Sequence, residues 1–274
     1  MARKYTVKEH KNPKHFISWG AGLQSTALGV LSVLGKVKKM DGIIFADPGW
    51  EHPYTYKIIE FYTEWFNNNN LPVEIVTIGR SIKDFEWEDS PPFFYYNKAP
   101  ITRQCTRYYK IDPIRTAMRR LSGLSIKNTG RTLKKSCYCY MGITYDEATR
   151  MRDSNRDWLV YEYPLVDMKW TRESCIDMFN ELGLPIPMKS SCMICPYHRK
   201  KDWALIKDTY PDEWTEILKF DERIRNGSDR MRKRDKDAKC YLYNKAIPLS
   251  EVDFSMIDVE KDISDICDEG YCFI

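Results

Sequence analysis

Two sets of residues in this sequence have types and spacings suited to chemistry. The first is the run Ser18-Trp-Gly-Ala-Gly-Leu-Gln-Ser25-Thr26, which places Gly20 and Gly22 just ahead of two hydroxyl residues. Glycines let the backbone approach a ligand closely, and successive N–H groups at the positive end of a helix dipole attract phosphate. The run lacks the lysine of a Walker loop and the third glycine of the dinucleotide fingerprint. Taken alone, it reads equally as a phosphate cradle and as a plain turn.

The second set is the nine cysteines. Cys192 and Cys195 form a C-x-x-C followed by Pro196, a turn that can aim two thiolates at one metal or cluster. Structural zinc would want a second pair or nearby histidines. Cys137 and Cys139 supply only C-x-C, His198 lies three residues after Cys195, and His10, His15 and His52 share no ligand spacing. Cys137, Cys139 and Cys240 read as small hydrophobes. Cys267 and Cys272 sit in an acidic tail with Asp265, Asp268 and Glu269, whose charge would raise a thiol pKa. They read equally as redox thiols and as merely exposed ones.

These residues need elements to hold them. HFISWG is an apolar run ending at the glycine turn, and Gln24 to Val37 follows with Leu28, Leu31 and Leu34 at helical spacing. GIIFADPGWE predicts a second buried strand, Tyr56 to Phe66 a helix, and VEIVTIG a third strand. The segment from Ser81 to Pro100 loses periodicity and reads as a functional loop or lid. Helices are predicted over Asp112 to Leu121, with Pro113 in the first turn, over Tyr145 to Arg152, and over Thr171 to Leu182 with Gly183 as the stop. Strands are predicted over Cys137 to Ile143 and Asp157 to Leu165. Alternating strands and helices imply an α/β fold: a parallel twisted sheet with flanking helices and ligands at the carboxyl ends of the strands. The predicted organisation is a nucleotide-binding domain over 1–185 and a smaller, mostly helical, cysteine-containing region with an acidic tail over 186–274.

Composition narrows the function classes. With 43% hydrophobic and 14% aromatic residues the chain can bury a sizeable core, which excludes a largely disordered protein. No apolar run reaches the ~18 residues of a membrane span, and the first residues lack the apolar stretch of a signal peptide, so a cytoplasmic protein is expected. Arg103 to Lys135 holds ten Lys/Arg against the single acid Asp112, whereas Glu251 to Glu269 holds eight acids against Lys261. The basic stretch suggests a phosphate-bearing ligand. A second run, Arg223 to Lys239, has eight Lys/Arg against Asp229, Asp235 and Asp237 and reads as an exposed loop, with polyanion contact as the sharper alternative. Trp203, Trp214 and Phe220 read as core.

Several segments in order resemble the adenine nucleotide α-hydrolase (PP-loop) superfamily, in particular its phosphoadenosine phosphosulfate reductase-like proteins of phage and bacteria. The Ser18 to Thr26 run resembles the pyrophosphate loop S-G-G-x-D-S-[ST]. Phe45-Ala-Asp47-Pro-Gly-Trp-Glu51 resembles D-T-G-x-E, and Arg103-Gln-Cys105-Thr-Arg-Tyr-Tyr-Lys110 resembles R-x-C-T-x-x-x-K. Gly142-Ile-Thr-Tyr-Asp-Glu147-Ala-Thr-Arg150, Tyr163-Pro-Leu-Val-Asp167 and Ser190-Ser-Cys192-Met-Ile-Cys195-Pro196 resemble its later elements.

The resemblance implies that Ser18, Gly20, Ala21, Gly22, Ser25 and Thr26 hold the phosphates of ATP or a related adenine nucleotide. It also places Asp47 by the adenosine end and Gly142 at the site, and has Lys110 and Arg150 facing phosphate. Cys105 and Cys175 are implied partners of Cys192 and Cys195 on a [4Fe–4S] cluster, with zinc as the alternative. Gln24 stands where the family pattern has an aspartate, and a neutral amide is a poor Mg²⁺ ligand, so Mg²⁺-dependent ATP cleavage is less secure than nucleotide binding. The tail loosely resembles the E-C-G-x-H segment of sulfonucleotide reductases, without its histidine. The implied activities are ATP-dependent sulfur transfer, sulfonucleotide reduction with Cys272 and Cys267 as catalytic thiols, or nucleotide binding without turnover. The acceptor would be a nucleotide or a nucleic acid, no membrane partner is expected, and a homodimer is compatible with this reading.

Overall fold

The structure, a computed structural model, describes residues 8–9, 11–87, 91–95, 100, 103–124 and 133–257. They fall into two compact units. Unit 1 takes the chain up to Asp47, Pro53–Thr77 and Lys110–Ser190, and unit 2 takes Pro48–His52, Ile78–Tyr109 and the chain from Ser191 on.

Unit 1 begins with β1 (Lys8–Glu9), β2 (Lys14–Trp19) and α1 (Leu23–Val33), followed by β3 (Gly42–Ala46), α2 (Pro53–Asn68) and β4 (Val73–Val76). It continues with α3 (Asp112–Leu121), β6 (Leu133–Lys134), β7 (Cys137–Met141), β8 (Leu159–Glu162), α4 (Pro164–Asp167) and α5 (Arg172–Leu182). Five strands form one sheet in the order β4-β3-β2-β7-β8, and every neighbouring pair is parallel. The chain builds outward from β2 to β4, then returns to lay β7 on the other side of β2. That reversal between β2 and β7 is a switch point, the place at which open α/β sheets bind their ligands. β1 and β6 form a separate two-stranded parallel pair.

Alternation along β2 sorts the core into two layers. Ile17 and Trp19 face an apolar cluster with Leu28, Leu31, Tyr62, Phe66 and Phe179 from α1, α2 and α5. Phe16 faces the opposite layer with Ile114, Ala117 and Met118 of α3 and with Cys137 and Cys139. All five residues of β3 are buried, as a central parallel strand requires. The sheet is thus covered by helices on both faces, as expected from the sequence.

Local signals set most boundaries. α3 carries Pro113 in its first turn and Arg119 and Arg120 in its last, and it spans the predicted residues. α5 starts at Thr171, whose hydroxyl accepts from Ser174 N–H at 3.2 Å, and stops at Gly183 with φ +63°. Three expectations are corrected. α1 ends at Val33, not Val37, where Gly35 turns the chain at φ +69°. Tyr145–Arg150 is a 3-10 segment broken at Glu147 (φ −111°, ψ 16°), not a regular helix. The predicted strand to Leu165 ends at Glu162, because Pro164 opens α4.

Unit 2 is assembled from β5 (Phe94–Tyr95), α6 (Lys200–Thr209), α7 (Pro211–Ile224), α8 (Asp229–Arg234) and β9 (Cys240–Tyr241). β5 and β9 pair antiparallel. Trp203, Trp214 and Phe220 lie in its apolar core with Phe93 and Tyr109, in keeping with their reading as core. Asp221, 2% exposed, accepts the N–H of Leu242 at 2.9 Å and of Leu249 at 3.1 Å and pairs with Arg225. One buried carboxylate thereby fastens α7 to the segment after β9. Besides the chain from Ser191 on, the segments 48–52 and 78–109 belong to unit 2. The reason is that the aromatics Trp50, Phe85 and Phe93 pack with Phe220 and Ile224 of α7. Among the described residues no helix is long and apolar enough to cross a membrane.

Candidate nucleotide site

The loop after β2 is built by its own backbone. Ala21 adopts φ +55°, which turns the chain sharply out of the strand. Gly22 then caps α1 in an extended conformation, and as a glycine it offers no side chain to the first-turn N–H groups of the helix. Uncapped N–H groups and the helix dipole favour an anion at this end.

The hydroxyls are occupied within the loop. Ser25 Oγ accepts from Gly20 N–H at 3.2 Å and donates to the Gly22 carbonyl at 3.3 Å. Thr26 Oγ1 accepts from Trp19 Nε1 at 2.9 Å and donates to the Gly22 carbonyl at 2.8 Å. Thr26 is fully buried, and its hydroxyl shapes the loop. Ser18, half-buried, lies on β2 in register with Ile44 and Met141.

The loop after β7 meets this turn. A Cβ on Gly142 would lie 2.4 Å from Ser25 N and 2.5 Å from Ser25 Cα, so only glycine permits the approach. At Gly22, by contrast, a Cβ would meet Ser190 Oγ at an ordinary 3.8 Å. Beside this contact Gln24 Nε2 donates to Glu147 Oε2 at 2.7 Å and to Thr144 Oγ1 at 3.3 Å. Arg150 Nη1 pairs with the same Glu147 Oε2 at 2.7 Å, and its buried Nε has no hydrogen-bond partner among the described residues. Gln24, Thr144, Glu147 and Arg150 therefore form one network at the switch point. Glu147 and Thr144 are the residues that motif reasoning leaves out of the site. Both stand in the quoted Gly142 to Arg150 segment, so the signal was present, but their roles depend on where Gln24 points.

Asp47 follows β3, its N–H bonding the Val76 carbonyl at 2.8 Å and its Oδ1 accepting from Tyr56 OH at 3.0 Å. Lys110 closes a π-helical turn, Thr106–Ile111, and is buried.

Unit 2 gathers cysteines in a different way. The segment around Glu51 bridges antiparallel to Cys192, with Met193 N–H bonding the Trp50 carbonyl at 3.0 Å and His52 N–H the Ser191 carbonyl at 3.2 Å. The Cys192 thiol lies 3.6 Å from Glu51 Oε1. Cys195 N–H closes a turn on the Cys192 carbonyl at 3.0 Å, and His198 Nε2 bonds the same carbonyl at 3.0 Å. His198 thus holds the C-x-x-C turn through its backbone. Burial pushes the Tyr197 hydroxyl upward, opposed by Arg103, with Cys195 and Cys105 adding to the rise. Tyr197 therefore has both thiols and Arg103 as neighbours. His52 is pushed down to about 4 by burial against the opposing pull of Asp202, and its ring meets Tyr210 edge-on at 4.8 Å.

Cys175 is placed elsewhere. It is fully buried in the apolar core of unit 1, and burial pushes its thiol up to about 12. A [4Fe–4S] cluster needs a converging set of thiolates. Among the described residues no three His, Cys, Asp or Glu side chains come together closely enough to hold a metal ion. The implied set Cys105, Cys175, Cys192 and Cys195 does not fit a cluster in this arrangement, nor do the described donors fit zinc or Mg²⁺. Cys137 and Cys240 are buried, with thiols pushed by burial to about 12 and about 11, and burial raises Cys139 as well. Cys267 and Cys272, the implied catalytic thiols, lie outside the described residues.

The basic stretch is likewise divided. Arg115 Nη2 donates to Tyr161 OH at 2.9 Å, Arg119 stacks over Trp158 at 5.2 Å, and Arg120 pairs with Glu74. These three arginines of α3 are engaged with partners in unit 1 itself.

Sheet order, switch point and glycine loop together define an α/β protein with a parallel sheet covered by helices on both faces. Residues 14–131 match the family model of the phosphoadenosine phosphosulfate reductase domain. None of the curated proteins matches the chain. Among solved structures, the phosphoadenylyl-sulfate reductase of Candida auris in its phosphate complex is 14% identical, with TM-score 0.43, over 65% of this chain and 76% of its own. The U34-tRNA thiolase NcsA of Methanococcus maripaludis, solved with its [4Fe–4S] cluster, is 14% identical, with TM-score 0.40, over 80% of this chain and 72% of its own.

Proposed function

We propose that the chain is an adenine-nucleotide-dependent enzyme of sulfur chemistry, with the nucleotide phosphates seated at the switch point of unit 1. The observation that carries this reading is the contact of Gly142 with Ser25, where two glycine loops close on each other beside the uncapped start of α1. Backbone N–H groups there would bind phosphate oxygens, and Arg150, held by Glu147, adds positive charge where phosphate charge develops. The family match of residues 14–131 supports the sulfonucleotide side of that chemistry.

Two reactions fit the reading. In sulfur transfer, an acceptor oxygen attacks the α-phosphorus of ATP and pyrophosphate leaves; the terminal sulfur of a cysteine persulfide then displaces AMP from the activated carbon, and a second thiol attacks the resulting mixed disulfide, releasing the thiolated acceptor and leaving a disulfide. In sulfonucleotide reduction, a cysteine thiolate attacks the sulfonate sulfur, the bond from sulfur to the phosphate oxygen breaks, and the nucleotide leaves. A second thiol then attacks the thiosulfonate, releasing sulfite and leaving a disulfide. Gln24 favours the second reaction, because its amide nitrogen is committed to Glu147 and Thr144 and it brings no carboxylate for a metal on pyrophosphate. The test is incubation with ATP and with phosphoadenosine phosphosulfate in the presence of a thiol reductant, with products identified chromatographically. Sulfite supports reduction, and AMP with pyrophosphate supports transfer. Binding of either nucleotide without product leaves a binding component, and no binding overturns the site.

A further inference from the structure

The second basic run, Arg223 to Lys239, is not a loop. It covers the end of α7, all of α8 and the approach to β9. The structure sorts its cations into two groups. Arg223 stacks on Phe220 at 4.7 Å and bonds the Lys83 carbonyl, and Arg225 lies 4.0 Å over Tyr241 and pairs with Asp221. Arg232 pairs with Asp229 and donates to the Gly227 carbonyl at 2.8 Å, and Lys239 bonds Asn226 at 2.8 Å. These four serve unit 2 itself.

Arg230, Lys233, Arg234 and Lys236 are exposed, and none makes a hydrogen bond or ion pair among the described residues. Met231 faces inward, against Gly227 and the thiol of Cys240 at 3.9 Å, and so fixes which side of α8 is outer. Positions 230, 233 and 234 then fall within roughly a 100° arc of a helix, and Lys236 follows just beyond its end. Of the acids nearby, Asp229 is held by Arg232, Asp235 accepts from Tyr95 OH at 2.7 Å, and Asp237 is exposed, its N–H bonding Asp235 Oδ1 at 3.1 Å. Four exposed cations, Arg230, Lys233, Arg234 and Lys236, set against Asp235 and Asp237 leave the strip with a net positive charge.

The geometry points to this outer face of α8 as a docking surface for the phosphate backbone of a nucleic acid. A lipid surface fits it less well. Membrane-bound helices add large apolar side chains to their cations, and among the described residues from 198 to 255 no large hydrophobic side chain is exposed. Backbone phosphates need only spaced cations, with affinity that falls steeply with salt.

The test is fluorescence anisotropy with a labelled duplex DNA, a labelled RNA hairpin and phosphatidylserine-containing vesicles at about 50 and about 200 mM salt, the range over which phosphate contacts are felt. The full chain is compared with the Arg230→Gln/Lys233→Gln/Arg234→Gln/Lys236→Gln variant and with the charge-preserving Arg230→Lys/Arg234→Lys variant. Wild type should bind at least one nucleic acid. The quadruple variant should bind it about 10-fold or more weakly at low salt, with a log–log salt slope shallower by about three to four units. The charge-preserving variant should keep the wild-type slope. An unchanged slope in a quadruple variant with wild-type melting behaviour overturns the inference, and so does tighter binding to vesicles than to either nucleic acid. Should the quadruple variant fail to fold, Lys233→Gln/Lys236→Gln alone must show about half the change in slope, and no change overturns the inference equally.

Discussion

The switch point of unit 1 and the cysteine turn of unit 2 are built on different physical terms. The first is made of backbone: Ala21 in a left-handed conformation, Gly22 at the start of α1, and Gly142 against Ser25. The second depends on side chains: Glu51 reaches Cys192 and Arg103 reaches Tyr197 from distant segments, and His198 holds the Cys192 carbonyl from within the turn. A backbone site depends on what a position lacks, whereas a side-chain site depends on groups that must converge. The two should therefore fail in different ways.

The largest effect should come from a side-chain anchor in unit 2. Asp221→Ala leaves two backbone N–H groups and Arg225 without their buried acceptor, and is expected to cost about 3–5 kcal/mol in chemical denaturation. A cost under about 1 kcal/mol would break the contrast. Next is Gly142→Ala, where the added methyl must displace the backbone of Ser25. About 1–3 kcal/mol of overpacking strain and loss of nucleotide binding by calorimetry are expected. Gly22→Val tests the same loop from the other side: the structure leaves room for its Cβ, so it should fold and yet lose nucleotide affinity.

The buried thiols sharpen the comparison through pH. Burial raises Cys137 and Cys175 to about 12, so both states are protonated below pH 9 and these thiols contribute no pH dependence there. Above pH 9 the unfolded chain ionises first, and stability should fall by up to about 1.4 kcal/mol per thiol per pH unit until the folded thiols titrate. Denaturation curves at successive alkaline pH values, with Cys175→Ala expected to flatten the decline, check this. In the native protein at pH 8, iodoacetamide should label half-buried Cys192 and Cys195 well before Cys175, and equal labelling would contradict the burial. The smallest effect is expected from Glu147→Gln. It loosens a partly exposed pair with Arg150 and should weaken nucleotide binding by about 3- to 10-fold, on the order of 1 kcal/mol.

The same contrast explains what the sequence could reveal. α3 carries its start signal in Pro113 and is predicted over the residues it occupies. Gly142 is legible because a close approach leaves a one-residue mark. Cys175 is not, because a thiol at helical spacing looks the same whether it faces a ligand or Phe179 of the core. The tied arginines of α3 and the free cations of α8 share one composition, and only their partners, Tyr161, Trp158 and Glu74 in the first case, tell them apart. The discontinuity of unit 2 leaves no local trace either, since Trp50 and Phe93 become core only where α7 meets them.

That interleaving of the chain bears on when the molecule can form during synthesis. The segments Pro48–His52 and Ile78–Tyr109 leave the ribosome early, but the helices they pack on lie beyond Ser191. Roughly 80 residues separate the two, about 4–16 s of elongation. During that interval the aromatics of both segments have no core to enter, so the nascent chain carries a sticky stretch in its middle while the sheet of unit 1 is still gaining its last strands. A ribosome stalled near residue 190 would leave that exposure without end, and such a chain would be a natural client for a chaperone that holds apolar segments.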